Sequence, residues 1–318
     1  MIMKRIAIAA LAVAMAVPAL AQEQGGSSNG KETPAQRAER DYSAWLPSAG
    51  EFSIGFGLDP LSTWVGQLFN GTAGNTLGKL HGDPMTSTPN IGIMGSYQLS
   101  SQLGIKANIG FNNANKSAIE YVLDDAALFA NPLSEAKVAD HGVRKTKMMS
   151  FALGADYRIG GKHAVQAVLG AGLIYTRNST FYKFAYGNAI TEANQAPTSY
   201  NFGATSAPFD GEVDNTKTPH GFMPAARMTE KASATNTFGV YGSVGVEWFF
   251  VPKVCLGANV NIQLTQERSA RGYETWEGWN TSTQQLDEAH TDLGTAKSST
   301  TTFATSHLGS NLYISFYF

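Results

Sequence analysis

Five polar side chains stand out in this sequence: four are the charged residues of otherwise uncharged segments, and the fifth lies close to them in height. They are Gln98, Lys106, Asp156, Arg158 and Glu247. Each lies at an alternate position, on the face opposite the aliphatic side chains of its segment. A buried charge is stable only when it is paired. We therefore expect these residues to form an internal network, which acts either as a structural plug or as a gate that opens a narrow path by exchanging partners.

Residue sets for catalysis or metal binding are not evident. A nucleophile needs a neighbouring base and an orienting acid, and the combination available is His307 with Ser315 or Ser243, whose heights along their segments differ. The six histidines are scattered, without an HxH or HxxxH pair. Acidic pairs at 124–125 and 287–288 leave loop-bound calcium as an alternative to solvated charge. We expect a protein that is not an enzyme and that needs no cofactor or metal.

The elements that must position these residues are predicted by an alternation of apolar with polar or small residues, which has the period of a β-strand. The pattern recurs near residues 52–58, 91–99, 103–112, 149–158, 165–175, 238–250, 254–265 and 311–318. Short turns lie at 100–102, 160–162 and 251–253, and long segments near 59–88, 120–146, 180–234 and 267–301. This asymmetry is typical of outer-membrane barrels. The sequence predicts an all-β fold, an eight-stranded antiparallel up-and-down transmembrane β-barrel with short periplasmic turns and four long extracellular loops; a count of ten strands stays open.

A soluble β-sandwich is the alternative fold, since it is also built from alternating strands. One face of a predicted strand carries Asn259, Asn261 and Gln263, while the other face is aliphatic. The solvent face of a sandwich would carry Lys and Glu, but charges are nearly absent from the faces assigned to lipid. There, an Arg or Lys at the midplane costs about 2–4 kcal/mol. Arg177 is the exception, and its distance from the preceding turn places it above the apolar band, in water. These observations favour the barrel.

The composition agrees with a membrane barrel. Charged residues make up 15% of the chain, against about 25% in a soluble domain. Lys and Arg (23 residues) nearly balance Asp and Glu (25 residues), so the basic surface that nucleic acid requires is missing. Cys255 is the single cysteine, which excludes an internal disulfide.

The beginning of the sequence has the pattern of a secretory signal peptide. Lys4 and Arg5 precede an apolar run over 6–17, and Ala19-Leu20-Ala21 follows as a small-x-small cleavage site. A retained N-terminal anchor is the alternative. We expect a signal peptide at 1–21, a flexible periplasmic tail at 22–44 and the barrel at 45–318. The predicted location is the outer membrane of a Gram-negative bacterium, with both termini in the periplasm.

One segment breaks the β pattern with apolar residues at the spacing of a helix. Its apolar stripe consists of Leu61, Trp64, Val65, Leu68 and Phe69. Two interpretations stay open: a lid over the barrel mouth that excludes or holds an apolar ligand, and an interfacial helix that rests on lipid.

The long loops contain many aromatic residues: Phe181, Tyr182, Phe184, Tyr186, Tyr273, Trp276 and Trp279. Exposed aromatics could stack on sugars or anchor a partner protein. Alternatively they pack the loops together, or belong to strands that extend beyond the bilayer.

The last segment of the sequence has outward residues in register at every second position. Leu312, Ile314, Phe316 and Phe318 resemble the terminal signature by which outer-membrane barrels are recognised, and this resemblance implies insertion by the barrel-assembly machinery. The region 45–318 resembles the small eight-stranded barrels related to the outer-membrane protein A transmembrane domain. The stretch at 45–56 is similar to the start of uncharacterised outer-membrane proteins of Bacteroidetes. The resemblance implies no catalytic residues.

Two functions are compatible with these features. The first is a non-enzymatic scaffold whose extracellular loops contact the surroundings or a protein or glycan partner. The second is a narrow channel or binding barrel for a small molecule, which could be apolar, since an eight-stranded lumen holds its own side chains or one small ligand. Both imply contact with outer-membrane lipid and lipopolysaccharide, and neither involves nucleic acid.

Overall fold

The structure, a computed structural model, describes residues 41–57, 92–216, 223–294, 299–304 and 311–318. These residues form eleven strands and one short helix: β1 (Phe52–Gly57), β2 (Gly92–Gln98), β3 (Leu103–Leu123), α1 (Asp125–Ala130), β4 (Lys137–Ile159), β5 (Val165–Ala185), β6 (Arg227–Val251), β7 (Val254–Ser269), β8 (Gly272–Asn280), β9 (Gln285–Gly294), β10 (Ser299–Ala304) and β11 (Asn311–Tyr317). Among the described helices, none is long and apolar enough to span a bilayer.

The strands close into a ring. Each of β1 to β7 pairs antiparallel with its neighbour in sequence, and β11 lies between β7 and β1. Ile54 of β1 faces Phe316 of β11, and Leu256 of β7 faces Ile314 on the other side. Because β10 pairs with β7 directly beyond β11, the two short strands together form the eighth position of the ring. The prediction of an eight-stranded antiparallel up-and-down barrel is confirmed.

Four strands extend much further than the sequence pattern indicates. β3, β4, β5 and β6 contain 21, 23, 21 and 25 residues. Much of the predicted loop at 120–146 is therefore strand, and the described connection between β3 and β4 is reduced to α1 and its flanking residues. The predicted loop at 180–234 loses both ends to β5 and β6. The predicted loop at 267–301 contains the hairpin β8–β9, which pairs with the far end of β6.

The outer surface of the ring is apolar along the part nearest the short turns. Large apolar side chains there are 40–63% exposed on most strands, for example Phe111 (57%), Leu173 (63%) and Val244 (62%). Most inward residues of the same strands are small or polar. We call this exposed zone the apolar belt. It follows from the alternation in the sequence, since successive strand residues point to opposite faces.

Beyond the belt, at the end of the barrel opposite the short turns, lies a separate hydrophobic core. We call it the crown cluster, and it consists of Tyr182, Phe184, Phe202, Phe209, Val213, Met223, Ala226, Met228 and Trp276. Strands β5, β6 and β8 and the connection between β5 and β6 all contribute to it. Loop and strand aromatics therefore pack together here, which is one of the alternatives that the sequence left open.

Candidate functional site

The strongest candidate site is a network of polar side chains inside the ring, close to the short turns. Gln98 lies at the end of β2, Lys106 on β3, Asp156 and Arg158 on β4, and Glu247 on β6. The structure brings all five predicted network residues into this region, and each is at most 9% exposed. We call the network the plug.

Arg158 is the centre of the plug. Its Nε donates to Oε2 of Glu247 at 2.7 Å, and its Nη1 donates to Oε1 of Gln98 at 2.7 Å. Its Nη2 donates to the hydroxyl oxygen of Tyr317 at 2.6 Å. Charge-assisted hydrogen bonds of this length are the strong ones in proteins. The guanidinium thus connects β2, β4, β6 and β11 across the lumen.

A second ion pair lies next to this centre. Lys106 Nζ is 3.2 Å from Oδ2 of Asp156 and 4.6 Å from the ring centroid of Tyr313. The hydroxyl of Tyr313 donates to Oε1 of Glu247 at 2.8 Å. Tyr313 therefore joins the two ion pairs into one network.

Tyr313 and Tyr317 belong to the network, although they are not among the five residues predicted from the sequence. The available signal was their parity on the last strand, opposite the outward Phe316 and Phe318. Phe318 and Phe316 are 65% and 39% exposed, and Ile314 and Leu312 are partly buried. The backbone of Phe318 exchanges two hydrogen bonds of 2.9 Å with Phe52.

The turn end of the barrel is covered by the segment that precedes β1. Lys253 Nζ donates to the backbone oxygen of Leu46 at 2.7 Å and to Oε1 of Glu51 at 2.6 Å. Burial opposes ionisation of Glu51, but the hydrogen bonds from Lys253 and from the backbone of Ser48 outweigh it, and the pKa of Glu51 is lowered. At the same end, Lys162 pairs with Asp41 at 2.8 Å. These contacts fix residues 41–51 over the turns.

Spaces lie on both sides of Arg158. A recess of about 410 Å³ opens toward the turn end and is lined by Leu46, Gln102, Lys162 and Arg158, among others. On the lumen side, the gap among Lys106, Asp156, Glu247 and Tyr313 is about 10 Å³. A gap of that size holds one water molecule at most. Arg158 therefore separates the recess from the lumen.

Further along the lumen several inward residues are uncharged and polar. The side-chain oxygens of Asn108, Asn259 and Asn261 are buried and have no hydrogen-bond partner among the described residues. The lumen above the plug thus presents hydrogen-bond acceptors.

Clusters of three or more His, Cys, Asp or Glu that could hold a metal ion are absent from the described residues. Ser243 points into the lumen and is 8% exposed, but its predicted partner His307 lies outside the described residues. The predicted mouth helix (Leu61, Trp64, Val65, Leu68 and Phe69), the signal peptide and most of the predicted tail also lie outside them.

Comparisons with known proteins give little guidance. No protein-family model and no curated protein matches this sequence. Among solved structures, the chain is similar to a major outer membrane protein from Thermus thermophilus, with 11% identity and a TM-score of 0.35 over 85% of this chain and 100% of that chain. It is also similar to the outer membrane protein OprG from Pseudomonas aeruginosa, with 9% identity and a TM-score of 0.26 over 87% of this chain and 99% of that chain. Likeness at this level supports no conclusion about function.

Proposed function

We propose that this protein is an integral outer-membrane β-barrel, without enzymatic activity, that serves as a scaffold for a structured surface at its loop end. The plug is the observation that carries the proposal. Arg158, Glu247 and Gln98 close the lumen with short hydrogen bonds, and the remaining gap admits no solute larger than water. A barrel closed in this way is suited to support its loops rather than to conduct.

The apolar belt supports the membrane location. Soluble monomers rarely expose contiguous apolar patches larger than a few hundred Å², whereas here exposed apolar side chains follow one another around the ring. On β4 the belt runs from Met149 to Ile159. At about 3.3 Å per residue and a tilt near 45°, this stretch covers roughly 23 Å, close to the height of a lipid-facing band.

The crown cluster supports the scaffold role. Phe202 and Phe209 come from the connection between β5 and β6, and they are 0% and 1% exposed. Phe202 packs on Phe184 of β5 with ring centroids 5.6 Å apart. This connection is therefore held on the strands and can present a fixed surface. Long loops in barrels are commonly functional, and a protein or glycan partner would meet this surface.

A narrow channel or binding barrel is the second candidate. The buried amide oxygens of Asn108, Asn259 and Asn261 favour it, because they are acceptors that face the lumen without a described protein donor. In this alternative the plug acts as a gate, and Arg158 exchanges partners to open it.

Planar-bilayer conductance tests the two candidates against each other. We expect the intact protein to show no steady openings. The Arg158→Ala/Glu247→Ala double variant should conduct, and its conductance would show that the barrel inserts into the bilayer and that the lumen is open once the plug is disrupted. Steady openings of the unmodified protein that change on Glu247→Gln would overturn the scaffold proposal and support the gate. A variant with an exposed charge removed instead, Asp41→Asn, is the matched control and should behave as the unmodified protein does.

A further inference from the structure

Four cations lie on the outward face of the barrel directly beyond the apolar belt. On β4, Lys147 and Lys145 follow the exposed Met149 at outward positions, and on β5 Arg177 follows Tyr175. On β7, Arg268 lies beyond Leu264 with the same parity. All four are exposed. We call them the loop-rim cations.

The register of the strands brings the loop-rim cations close together. Met149 faces Arg177 across β4 and β5, so Lys147 is the diagonal neighbour of Arg177, about 7–8 Å away. Lys145 follows two residues further along β4, about 7 Å from Lys147. Arg177 faces Asn236, which in turn faces Arg268, and two strand spacings amount to about 10 Å. The four charges therefore form one patch across four strands.

The loop-rim cations differ from several other cations of the barrel in their partners. Among the described residues, none of the four forms an ion pair with a carboxylate, whereas some cations further from the belt do. Lys183 pairs with Glu230 at 3.4 Å, and Lys231 pairs with Glu274 at 2.7 Å. The positive charge is thus left uncompensated at one level of the barrel, where the apolar belt ends.

The opposite rim of the belt shows the reverse arrangement. Lys162 is neutralised by Asp41 and Lys253 by Glu51. The loop rim thus carries an uncompensated positive charge, whereas the two lysines at the turn rim are neutralised. Among the described residues, the loop rim is therefore the one that attracts a leaflet with anionic headgroups.

The two arginines of the loop rim each use one donor group on a neighbouring amide. Arg268 donates from Nη2 to Oε1 of Gln266 at 3.0 Å. Arg177 donates from Nη1 to Oδ1 of Asn236 at 3.4 Å, and the same oxygen accepts from the hydroxyl of Tyr175 at 3.0 Å. Arginine has five donors, so most remain for a ligand. Tyr175 packs on Phe238 with centroids 4.9 Å apart, and this pair marks the aromatic edge of the belt, at headgroup height.

We propose that the loop-rim cations bind the phosphate groups of a phosphorylated glycolipid of the outer leaflet, the lipid A portion of lipopolysaccharide. Lys and Arg are the side chains that bind phosphate, and Arg does so in a bidentate manner. The acyl chains of the same lipid would lie on the apolar belt next to the patch. This inference rests on the proposed outer-membrane location and adds a lipid-binding site to it.

Native mass spectrometry of the purified full chain tests the site. The protein is mixed in detergent with bisphosphorylated lipid A, with dephosphorylated lipid A or with phosphatidylglycerol, in the presence of a chelator that removes bridging divalent cations. We expect preferential retention of bisphosphorylated lipid A. Each cation near a charged lipid surface contributes about 1 kcal/mol, or roughly a fivefold change in affinity. The Lys145→Gln/Lys147→Gln/Arg177→Gln/Arg268→Gln variant should therefore lose at least about tenfold.

The matched control removes four exposed positive charges beyond the loop rim, as Lys116→Gln/Lys137→Gln/Lys183→Gln/Arg271→Gln, and should retain lipid A as the unmodified protein does. Equal retention of dephosphorylated lipid A, or of lipid A by the loop-rim variant, would overturn the site. Equal retention of phosphatidylglycerol would make the patch a general anionic surface and overturn the glycolipid assignment. Insertion into vesicles, followed by heat-dependent gel mobility, reports separately on the proposed function. An inserted protein without lipid A preference contradicts the site alone.

Discussion

The plug and the crown cluster lie at opposite ends of the same barrel and are held together by different forces. The plug consists of strand residues with charged or hydroxyl groups, such as Arg158, Glu247 and Tyr317, connected by hydrogen bonds of 2.6–2.8 Å. The crown cluster consists of aromatic and aliphatic residues from strands and a long connection, such as Phe184, Phe202 and Trp276. One end is stabilised by polar contacts and the other by apolar packing.

The difference follows from what surrounds each end. Where lipid covers the outside of a barrel, apolar side chains gain nothing by turning inward, since lipid is as apolar as the interior. The strands there place apolar residues outward and must satisfy the polar groups inside with one another. Beyond the belt the surroundings are aqueous, so the hydrophobic effect acts again and favours an apolar core. In the belt, apolar residues thus face outward and polar residues face inward. Beyond the belt, apolar residues form a buried core, as in a soluble protein.

Polar groups in the crown have a supporting role. Asp140 is 0% exposed and accepts hydrogen bonds of 2.8 Å from the backbone N–H groups of Gly187 and Tyr200. Asn215 accepts from the backbone of Phe202 at 2.9 Å. These side chains satisfy backbone groups in the connection between β5 and β6, whose described residues have no sheet partners of their own. Apolar packing stabilises the crown cluster, and these hydrogen bonds fix the backbone of the connection between β5 and β6.

Removal of the carboxylate from the plug should give the largest global effect. Glu247→Ala leaves Arg158 buried without its counter-ion, and breaking a buried pair in this way costs about 3–5 kcal/mol. Urea unfolding in micelles, followed by tryptophan fluorescence, measures the change. The exposed pair of Lys162 and Asp41 provides the control, and Asp41→Asn should leave the unfolding free energy unchanged.

Replacement of both partners sharpens this result. The Arg158→Met/Glu247→Leu variant should recover most of the lost stability, because a buried ion pair can often be exchanged for well-packed apolar residues at little cost. If the single and double variants are equally destabilised, then the plug acts through shape rather than through charge pairing.

Truncation of a buried ring in the crown cluster should lower the stability about as much as loss of the plug carboxylate. The structural effect should be confined to the crown cluster. Phe202→Ala removes a ring that is 0% exposed, and such changes cost about 3–5 kcal/mol. Hydrogen exchange should accelerate in the connection between β5 and β6 and stay unchanged in the belt strands. Tyr121→Ala, at a residue that is 66% exposed, is the control. Loss of protection in the whole barrel would show that the two ends are coupled.

A smaller effect is expected from crowding the plug. Gly257 lies beneath Tyr313, and a Cβ there would be 2.1 Å from Cζ of its ring. Gly257→Ala should displace Tyr313 and lengthen its hydrogen bond to Glu247, at a cost of about 1–3 kcal/mol. The control is Gly242→Ala, whose Cβ would meet its nearest atom, the backbone oxygen of Gly170, at 4.0 Å. The same urea titration compares them, and equal stability would contradict the tight contact.

The smallest effect should be a pH dependence of the crown. Asp125 accepts from the backbone N–H of Thr198 at 2.8 Å and from Nδ2 of Asn194 at 2.7 Å. Burial opposes its ionisation, but these bonds and the charge of Arg227 outweigh burial, and the pKa of Asp125 is lowered. A lowered folded-state pKa gives stability that is present above about pH 4, the unfolded value, and is lost as the pH falls below it.

Hydrogen exchange near Thr198 should therefore be constant from pH 7 to 5, after correction for intrinsic rates, and accelerate below about pH 4. Asp125→Asn should remove this dependence. A plug segment around Gln98 serves as the internal reference, and a parallel acceleration there would mean global acid unfolding instead.

The sequence predicted the plug better than the crown, and the reason is periodicity. Strand alternation alone assigned Lys106, Asp156 and Arg158 to the inner face, and it holds wherever one face meets lipid. It could not predict that Arg158 contacts Tyr317, because that contact depends on the register around the closed ring. The sequence showed which residues point into the lumen, but it did not show which of their side chains contact one another.

The crown was harder to predict because its strands have polar residues on both faces. On β3, Asn113 and Asn115 point outward into water and Asn112 points inward, so the alternation that marks a strand disappears although backbone pairing continues to Leu123. The connection between β5 and β6 has no period at all, and its aromatic residues contact strands far away in sequence. Composition indicated aromatic packing as one alternative, but the three-dimensional arrangement decides it.

The seam between β1 and β11 has a consequence for how the protein reaches its native state. Ser53 pairs with Tyr317, so the two strands that close the ring come from nearly opposite ends of the barrel sequence. Closing so long a loop costs entropy before any contact rewards it, and folds dominated by distant pairings form slowly. Until that seam forms, β1 and β11 each present an unpaired edge, which is a template for association with other chains. The barrel thus depends on protection of both edges during its synthesis and transport.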